Sequence, residues 1–203
     1  MMKLRGTEDE LWAKLGKPAT AAVLAETAHM RSKMKEYQYA ALYWLARPYE
    51  GGRILEIGTF KGRSALILSS ACPKAEIITL EPYRFDEATR NTRGRGNITV
   101  VKEYSWDYLA AHPEASFHLV LVDGDHQQAL RDTPWFNRLV PGGLILFHDY
   151  SPKACPPVYQ VVNAMAQRLG REPDVLVMDD EGIGMAGFYR GEREMLRKDG
   201  GLL

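Results

Sequence analysis

Five polar side chains close two apolar runs: Asp123, Asp125 and His126 follow the run 117–122, and His148 and Asp149 follow the run 143–147. Runs of this length, rich in Val, Ile, Leu and Phe, read as strands buried on both faces of a parallel sheet. Two consecutive strands of that kind are usually neighbours, so all five groups are expected at one rim of the sheet. Asp123, His148 and Asp149 there could supply two oxygens and an imidazole to a divalent cation, leaving positions open for a substrate. Magnesium prefers oxygen alone, so His148 points toward manganese or another transition ion, or else stands behind the ligands. His126 could take a proton from a hydroxyl at cellular pH, with Asp125 as the competing base. The plainer alternative is that Asp123 and Asp149 cap the helices that follow, with the histidines packed or solvated beside them. Asp125 could equally orient His126 or hold the amino-acid end of a cofactor.

A second set lies upstream. Arg53-Ile-Leu-Glu-Ile-Gly-Thr-Phe-Lys-Gly-Arg-Ser-Ala65 is an apolar strand that carries Glu56, turns through Gly58 and Gly62, and enters an apolar helix at Ser64. Gly58 permits a sharp turn, Gly62 a close approach to a ligand, and the opening amides of the helix are unpaired donors. A carboxylate at Glu56 repels phosphate and favours a ligand bearing ammonium or sulfonium charge. Glu81 ends the next apolar run, 25 residues later, near the spacing at which βαβ folds grip a ribose diol.

Leu55 to Ala65, read with Glu81, resembles the S-adenosylmethionine site of class I methyltransferases, and its Gly-x-x-x-Gly form is similar to the small-molecule O-methyltransferase branch. Val122-Asp-Gly-Asp-His126 followed by Pro141-Gly-Gly-Leu-Ile-Leu-Phe-His-Asp-Tyr150 extends the resemblance to catechol, caffeoyl-CoA and macrolide-sugar O-methyltransferases. The resemblance implies that Glu56, Gly58, Gly62, Ser64, Glu81, Ser105 and Asp123 line the cofactor, with Glu81 on the ribose and Ser105 near adenine. It maps the cation of metal-dependent members onto Asp123, His148 and Asp149, and their catalytic lysine onto His126. Those members usually carry Asp-Asp or Asp-Asn where this chain has His148-Asp149. The implied reaction is methyl transfer from S-adenosylmethionine to a small-molecule hydroxyl, with Mg or Mn as the metal. Two alternatives stand beside it: a non-catalytic S-adenosylmethionine-binding module, and an NAD-binding Rossmann protein. Counting Gly-x-Gly-x-x-Gly from Gly58 puts Phe60 and Arg63 where the second and third glycines of the latter belong.

These residues need a scaffold, and 203 residues at 45% hydrophobic suffice for one core. A single domain is expected, with a helical cap over 1–50, a Rossmann-like α/β core over 51–190 and a fraying tail over 191–203. Seven strands are anticipated at 53–57, 76–80, 98–101, 117–122, 143–147, 174–177 and 184–189, with helices between. The Asp179-Asp-Glu-Gly182 loop makes the last pair a hairpin, so the final strand is antiparallel. Numbered along the chain, the resemblance implies the order 3-2-1-4-5-7-6. In the cap, the stretch holding Met30, Met34, Tyr37, Tyr39, Tyr43 and Trp44 either covers a flat substrate or packs internally. Twenty-six basic residues balance twenty-six acidic ones, which argues against nucleic acid or an anionic membrane as a partner. Cys72 and Cys155 form no disulfide framework, and a reducing cytoplasm is the expected location. A homodimer through the apolar cap is the expected assembly.

Overall fold

In the computed structural model, which describes residues 4–15, 18–30 and 33–196, each buried strand sends alternate side chains to opposite faces. The cap comprises β1 (Leu4–Gly6), α1 (Glu8–Leu15), α2 (Pro18–Glu26) and α3 (Glu36–Ala46). The core follows as β2 (Arg53–Ile57), α4 (Arg63–Ala71), β3 (Glu76–Leu80), α5 (Phe85–Thr92), β4 (Ile98–Val101), α6 (Ser105–Ala111) and β5 (Phe117–Val122). After a 3-10 segment (His126–Arg138) come β6 (Leu139–Tyr150), α7 (Pro156–Leu169), β7 (Val175–Met178) and β8 (Gly184–Tyr189). One sheet of eight strands results, in the order β1-β7-β8-β6-β5-β2-β3-β4. Only β8 runs against its neighbours, pairing antiparallel with both β6 and β7.

Leu119 and Leu121 of β5 join Ile54, Leu144 and Leu146 under α3 and α4, where Tyr37, Leu42, Leu45 and Ile67 cover them. Val120 and Val122 face the other way, with Leu55, Ile145 and Phe188 against Trp135, Phe136, Val162 and Met165. Burying Tyr37, Leu42 and Leu45 at 1% exposure or less makes the cap part of the core. Full burial of side chains of this size contributes roughly 1.5–3 kcal/mol each. No helix among the described residues is long and apolar enough to cross a membrane.

The seven expected strands form in the expected order, and an eighth is added. The cap is not wholly helical, because Leu4–Gly6 pairs parallel with β7, tied by the Arg5 guanidinium to the Pro173 carbonyl. The region 127–139, expected as an α-helix, is wound in 3-10 turns. Pro134 within it has no N–H to donate and crowds the preceding turn. Strand β6 starts earlier than expected, and Val140 to Gly143 is looped out of register against β5, with Gly142 at φ 79°. The tail does not fray over 191–196: Leu196 exchanges hydrogen bonds of 2.7 Å with Asn137, and Glu194 pairs with Arg171. Positions 197–203 lie outside the described residues.

Candidate active site

The turn after β2 is locked from three sides. Gly58 takes φ 92°, and a Cβ there would stand 2.3 Å from the Asp123 carbonyl oxygen, so the backbone following the neighbouring parallel strand β5 leaves no room for a side chain. Gly62 takes φ 91°, and its constraint is α5, since a Cβ would meet Thr92 at 2.7 Å. Phe60 between them is held at φ 51°, an uncommon conformation for an aromatic residue, by the Glu81 carboxylate accepting its amide at 2.6 Å. The other Glu81 oxygen accepts from the amides of Tyr83 and Arg84, both at 2.9 Å. Three of roughly four carboxylate acceptor positions are thereby filled, leaving one for a ligand hydroxyl.

Glu56 lies behind this turn. It is fully buried, accepts a hydrogen bond from Thr79, which in turn bonds Thr59, and lines neither of the clefts described below. Burial pushes its carboxyl up to about 7, against the hydroxyls of Ser64 and Thr79, while Asp123 and Glu81 push it further up. Its negative charge is therefore only partly present at neutral pH, and the side chain sits beneath the floor of the turn, with Oε1 buried and without a hydrogen-bond partner among the described residues.

Two clefts meet at Gly58, Phe60, Asp123 and Gly124. The first, of about 300 Å³, is lined by Glu81, Ser105, Asp125 and Asp132 among apolar walls that include Ile57, Leu80, Tyr104 and Trp106. Tyr104 stacks on Trp106 with centroids 4.7 Å apart and planes 10° from parallel, giving a flat aromatic edge. The second, of about 240 Å³, is lined by Ser64, His126 and Asp149, with Met34 and Tyr39 of the cap and the cations Lys33, Lys61 and Arg63. Of the cap's aromatic and methionine stretch, these two side chains line one of the two joined clefts, Met30 and Tyr43 border separate hollows beside Glu26 and Arg95, Tyr37 is fully buried and Trp44 packs on the core. The loop before α7 lines neither cleft and leads into Pro156, the first residue of that helix.

At the sheet rim the four ionisable groups form a chain. His126 Nε2 is 3.0 Å from Asp149 Oδ2, which is 3.3 Å from His148 Nδ1, and that nitrogen is 2.8 Å from Asp123 Oδ1. Burial lowers the His148 pKa, but the carboxylates of Asp123 and Asp149 outweigh it and hold the imidazole up to about 10. Burial likewise opposes ionisation of Asp149, and the two histidines overcome it and hold that carboxyl below the usual range. The Asp149 hydrogen bond raises His126, with burial acting against it. Asp149 adopts φ 57°, a strain that persists because both histidines fix its side chain.

Gln38 of α3 sets the tautomer. Its Oε1 accepts from the Lys35 amide at 2.7 Å, which fixes the orientation of the side-chain amide, and the same oxygen is 3.3 Å from His148 Nε2. His148 must therefore carry its proton on Nε2, and Nδ1 is either a second N–H or a lone pair aimed between the carboxylates. Asp123, His148 and Asp149 each offer a donor atom, all within 4.8 Å of one another. With Nδ1 deprotonated this set fits a divalent ion that accepts nitrogen and oxygen together; with Nδ1 protonated it is a closed ion-pair network.

Of the residues singled out in the sequence, the first cleft gathers Glu81, Ser105 and Asp125, the second Ser64, His126 and Asp149, and Gly58 and Asp123 border both. Glu56, Gly62 and His148 sit behind them. Asp125 accepts the Gln127 amide at 3.0 Å and starts the 3-10 segment, so the cap there is Asp125 rather than Asp123, and His126 faces the second cleft. Gln38 and Asp132 escaped notice because each meets its partner across a long stretch of chain.

Residues 55–150 match a family described as a methyltransferase domain. No curated protein matches the chain. Among solved structures, an O-methyltransferase from Bacillus cereus in complex with SAH aligns with TM-score 0.65 at 19% identity, over 90% of this chain and 96% of that one. The O-methyltransferase TomG from Streptomyces achromogenes, in complex with SAM, aligns at 0.63 and 19% over 93% and 92%. The SAH-bound methyltransferase PaMTH1 from Podospora anserina aligns at 0.66 and 20% over 90% and 94%. The fold and the domain match agree with the resemblance read from the sequence to class I methyltransferases.

Proposed function

We propose that this chain, whose residues 55–150 match a family described as a methyltransferase domain, transfers a methyl group from S-adenosylmethionine to a hydroxyl of a small molecule. The observation that carries the reading is the pair of clefts sharing one wall. A nucleoside-sized cleft and a second cleft bearing His126 and Asp149 meet at Gly58 and Asp123, so donor and acceptor can be held against each other.

The cofactor supplies an activated methyl sulfonium, and the protein's task is alignment and removal of one proton. Alignment of two bound reactants contributes on the order of 7–11 kcal/mol at best. Glu81 keeps one acceptor position for the ribose, and Asp123 at the junction, with Ser64 in the second cleft beside it, borders the place where the amino-acid portion would lie. His126 donates its Nε2–H to the acceptor-only Asp149 carboxylate, leaving the Nδ1 lone pair to take the hydroxyl proton. Asp149 orients that ring and stabilises the imidazolium that forms.

Asp123, His148 and Asp149 would hold a divalent metal, manganese fitting the mixed donor set better than magnesium, and the ion would lower the hydroxyl pKa and fix its direction. Gln38 then acts by presenting the right His148 tautomer. Gln38→Leu should weaken Mn²⁺ binding about 10- to 100-fold, read by calorimetric titration. An unchanged affinity would separate Gln38 from the ion.

Direct titration tests the donor. S-adenosylhomocysteine should bind with micromolar or better affinity while NAD gives no heat, and Phe60 and Arg63 in place of glycines motivate the second half. Heat with NAD and none with S-adenosylhomocysteine would end the proposal.

A further inference from the structure

The second cleft carries positive charge that the proton transfer described above does not use. Lys33 lines it from the cap, Lys61 and Arg63 from the turn into α4, and Asp123, His126 and Asp149 from the carboxyl rim of the sheet. The three cations differ in what already holds them. Lys61 Nζ lies 2.8 Å from Glu87, so that charge is matched within the protein. Lys33 and Arg63 form no ion pair with a carboxylate among the described residues.

Arg63 is the one that the fold has fixed in place. Its Nε donates to the Thr27 hydroxyl at 3.1 Å, and that oxygen is free to accept because its own proton goes to the Val23 carbonyl at 2.8 Å. The guanidinium carbon stands 4.6 Å from the centre of the Tyr39 ring. Thr27 is fully buried and Tyr39 is 3% exposed, so both supports are packed parts of the cap. No acceptor among the described residues takes the N–H groups of the two terminal nitrogens. Arg53, Arg84, Arg95 and Arg171 each hold a carboxylate of this chain; Arg63 does not.

A planar guanidinium braced along one edge and one face is preorganised, and its remaining N–H groups match the two oxygens of a carboxylate. The charges in the cleft also set the direction of the ligand. An acid beside Asp123 and Asp149 meets like charge and at Arg63 meets opposite charge, so the acidic group goes to the start of α4 and the hydroxyl to His126. Met34, Tyr39 and Phe60 line the same cleft and suit the apolar body of such a molecule.

We propose that the methyl acceptor is a small hydroxy acid, a molecule that carries a carboxylate as well as the hydroxyl to be methylated, and that Arg63 is the residue that selects it. The proposal rests on the methyl-transfer reading above. A hydrogen bond to a charged group of this kind corresponds to discrimination of about 10- to 100-fold against a neutral analogue.

The experiment loads the full-length protein with S-adenosylhomocysteine and titrates it calorimetrically with para- and meta-hydroxybenzoate, each beside its methyl ester, which keeps the ring and hydroxyl and removes the charge. The unmodified protein should bind at least one acid about 10- to 100-fold tighter than its ester. Arg63→Gln should bind acid and ester within about threefold of each other, and Arg63→Lys, which restores the charge without the fork, should recover part of the preference. In both variants S-adenosylhomocysteine affinity should stay within about threefold of the unmodified protein. Esters bound as tightly as the acids, or no heat from either acid, would overturn the proposal, as would an undiminished preference in folded Arg63→Gln. Should that variant not fold, an undiminished preference in Arg63→Lys would do so. A loss of S-adenosylhomocysteine affinity as large as the loss of acid affinity would assign Arg63 to the cofactor's own carboxylate and overturn it too. Failure of S-adenosylhomocysteine to bind the unmodified protein would instead remove the methyl-transfer reading itself, and this inference with it.

Discussion

His126→Ala should lower kcat by about 10²- to 10⁴-fold while S-adenosylhomocysteine affinity changes less than about threefold. Removing a general base costs the proton-transfer step and little else, provided that the base does not hold the cofactor. His126 meets that condition, because it lines the second cleft and not the nucleoside-sized one. Its partner at 3.0 Å, Asp149, is braced from behind by buried His148, so the ring is held by packing rather than by the ligand. Added imidazole should restore part of the lost rate in the alanine variant. Asp125→Asn provides the contrast: its carboxylate caps the 3-10 segment and lines the other cleft, so turnover should stay within about threefold. A steady-state assay following S-adenosylhomocysteine release with an accepted hydroxyl compound reads both. If Asp125→Asn is the crippled variant and His126→Ala is not, the assignment of the base is reversed.

The division between Asp125 and His126 shows where the sequence is legible and where it is not. Strands 53–57, 76–80, 98–101, 117–122 and 184–189 are bounded as anticipated, because a strand covered on both faces must be continuously apolar and must end where glycine or charge begins. The rim follows from topology: parallel strands in a known order bring their carboxyl ends together, so Asp123, His148 and Asp149 meet without any tertiary information. What is not legible is which of two neighbouring side chains faces which cleft. Asp125 and His126 are adjacent, and only the local geometry at the start of the 3-10 segment sends one to each. Gln38 reaches His148 across 110 positions, and Asp132 sits in a stretch that reads as one more amphipathic helix, so neither leaves a local pattern. Leu4–Gly6 is a three-residue strand whose pairing with β7 gives no periodicity to detect.

The second large effect expected is on stability, at Glu56, and its sign depends on pH. The folded protein holds this carboxyl up to about 7, while the unfolded chain releases its proton near the ordinary glutamate value of 4.5. Between those two values the unfolded state has lost a proton that the folded state keeps, so rising pH favours unfolding. The penalty accumulates through that window and is constant above it, with a ceiling of about 3 kcal/mol from a shift of this size. Glu56→Gln keeps an acceptor for Thr79 and abolishes the titration. Urea unfolding of the two proteins at pH 5, 6.5 and 8 should therefore show the variant gaining on the wild type as pH rises, by up to about 3 kcal/mol at pH 8. A difference that does not vary across the three pH values would mean that Glu56 titrates alike in both states. The same charge links the cost to the site. Asp123 and Glu81 add to the rise at Glu56, so the free protein spends stability on holding three carboxyl groups near one turn. A ligand carrying positive charge relieves that repulsion and draws the Glu56 proton off. Binding of S-adenosylmethionine at pH 7 should accordingly release a fraction of a proton, about one half at most. Titration heats measured in buffers of different ionisation enthalpy report that fraction, and it should vanish in Glu56→Gln.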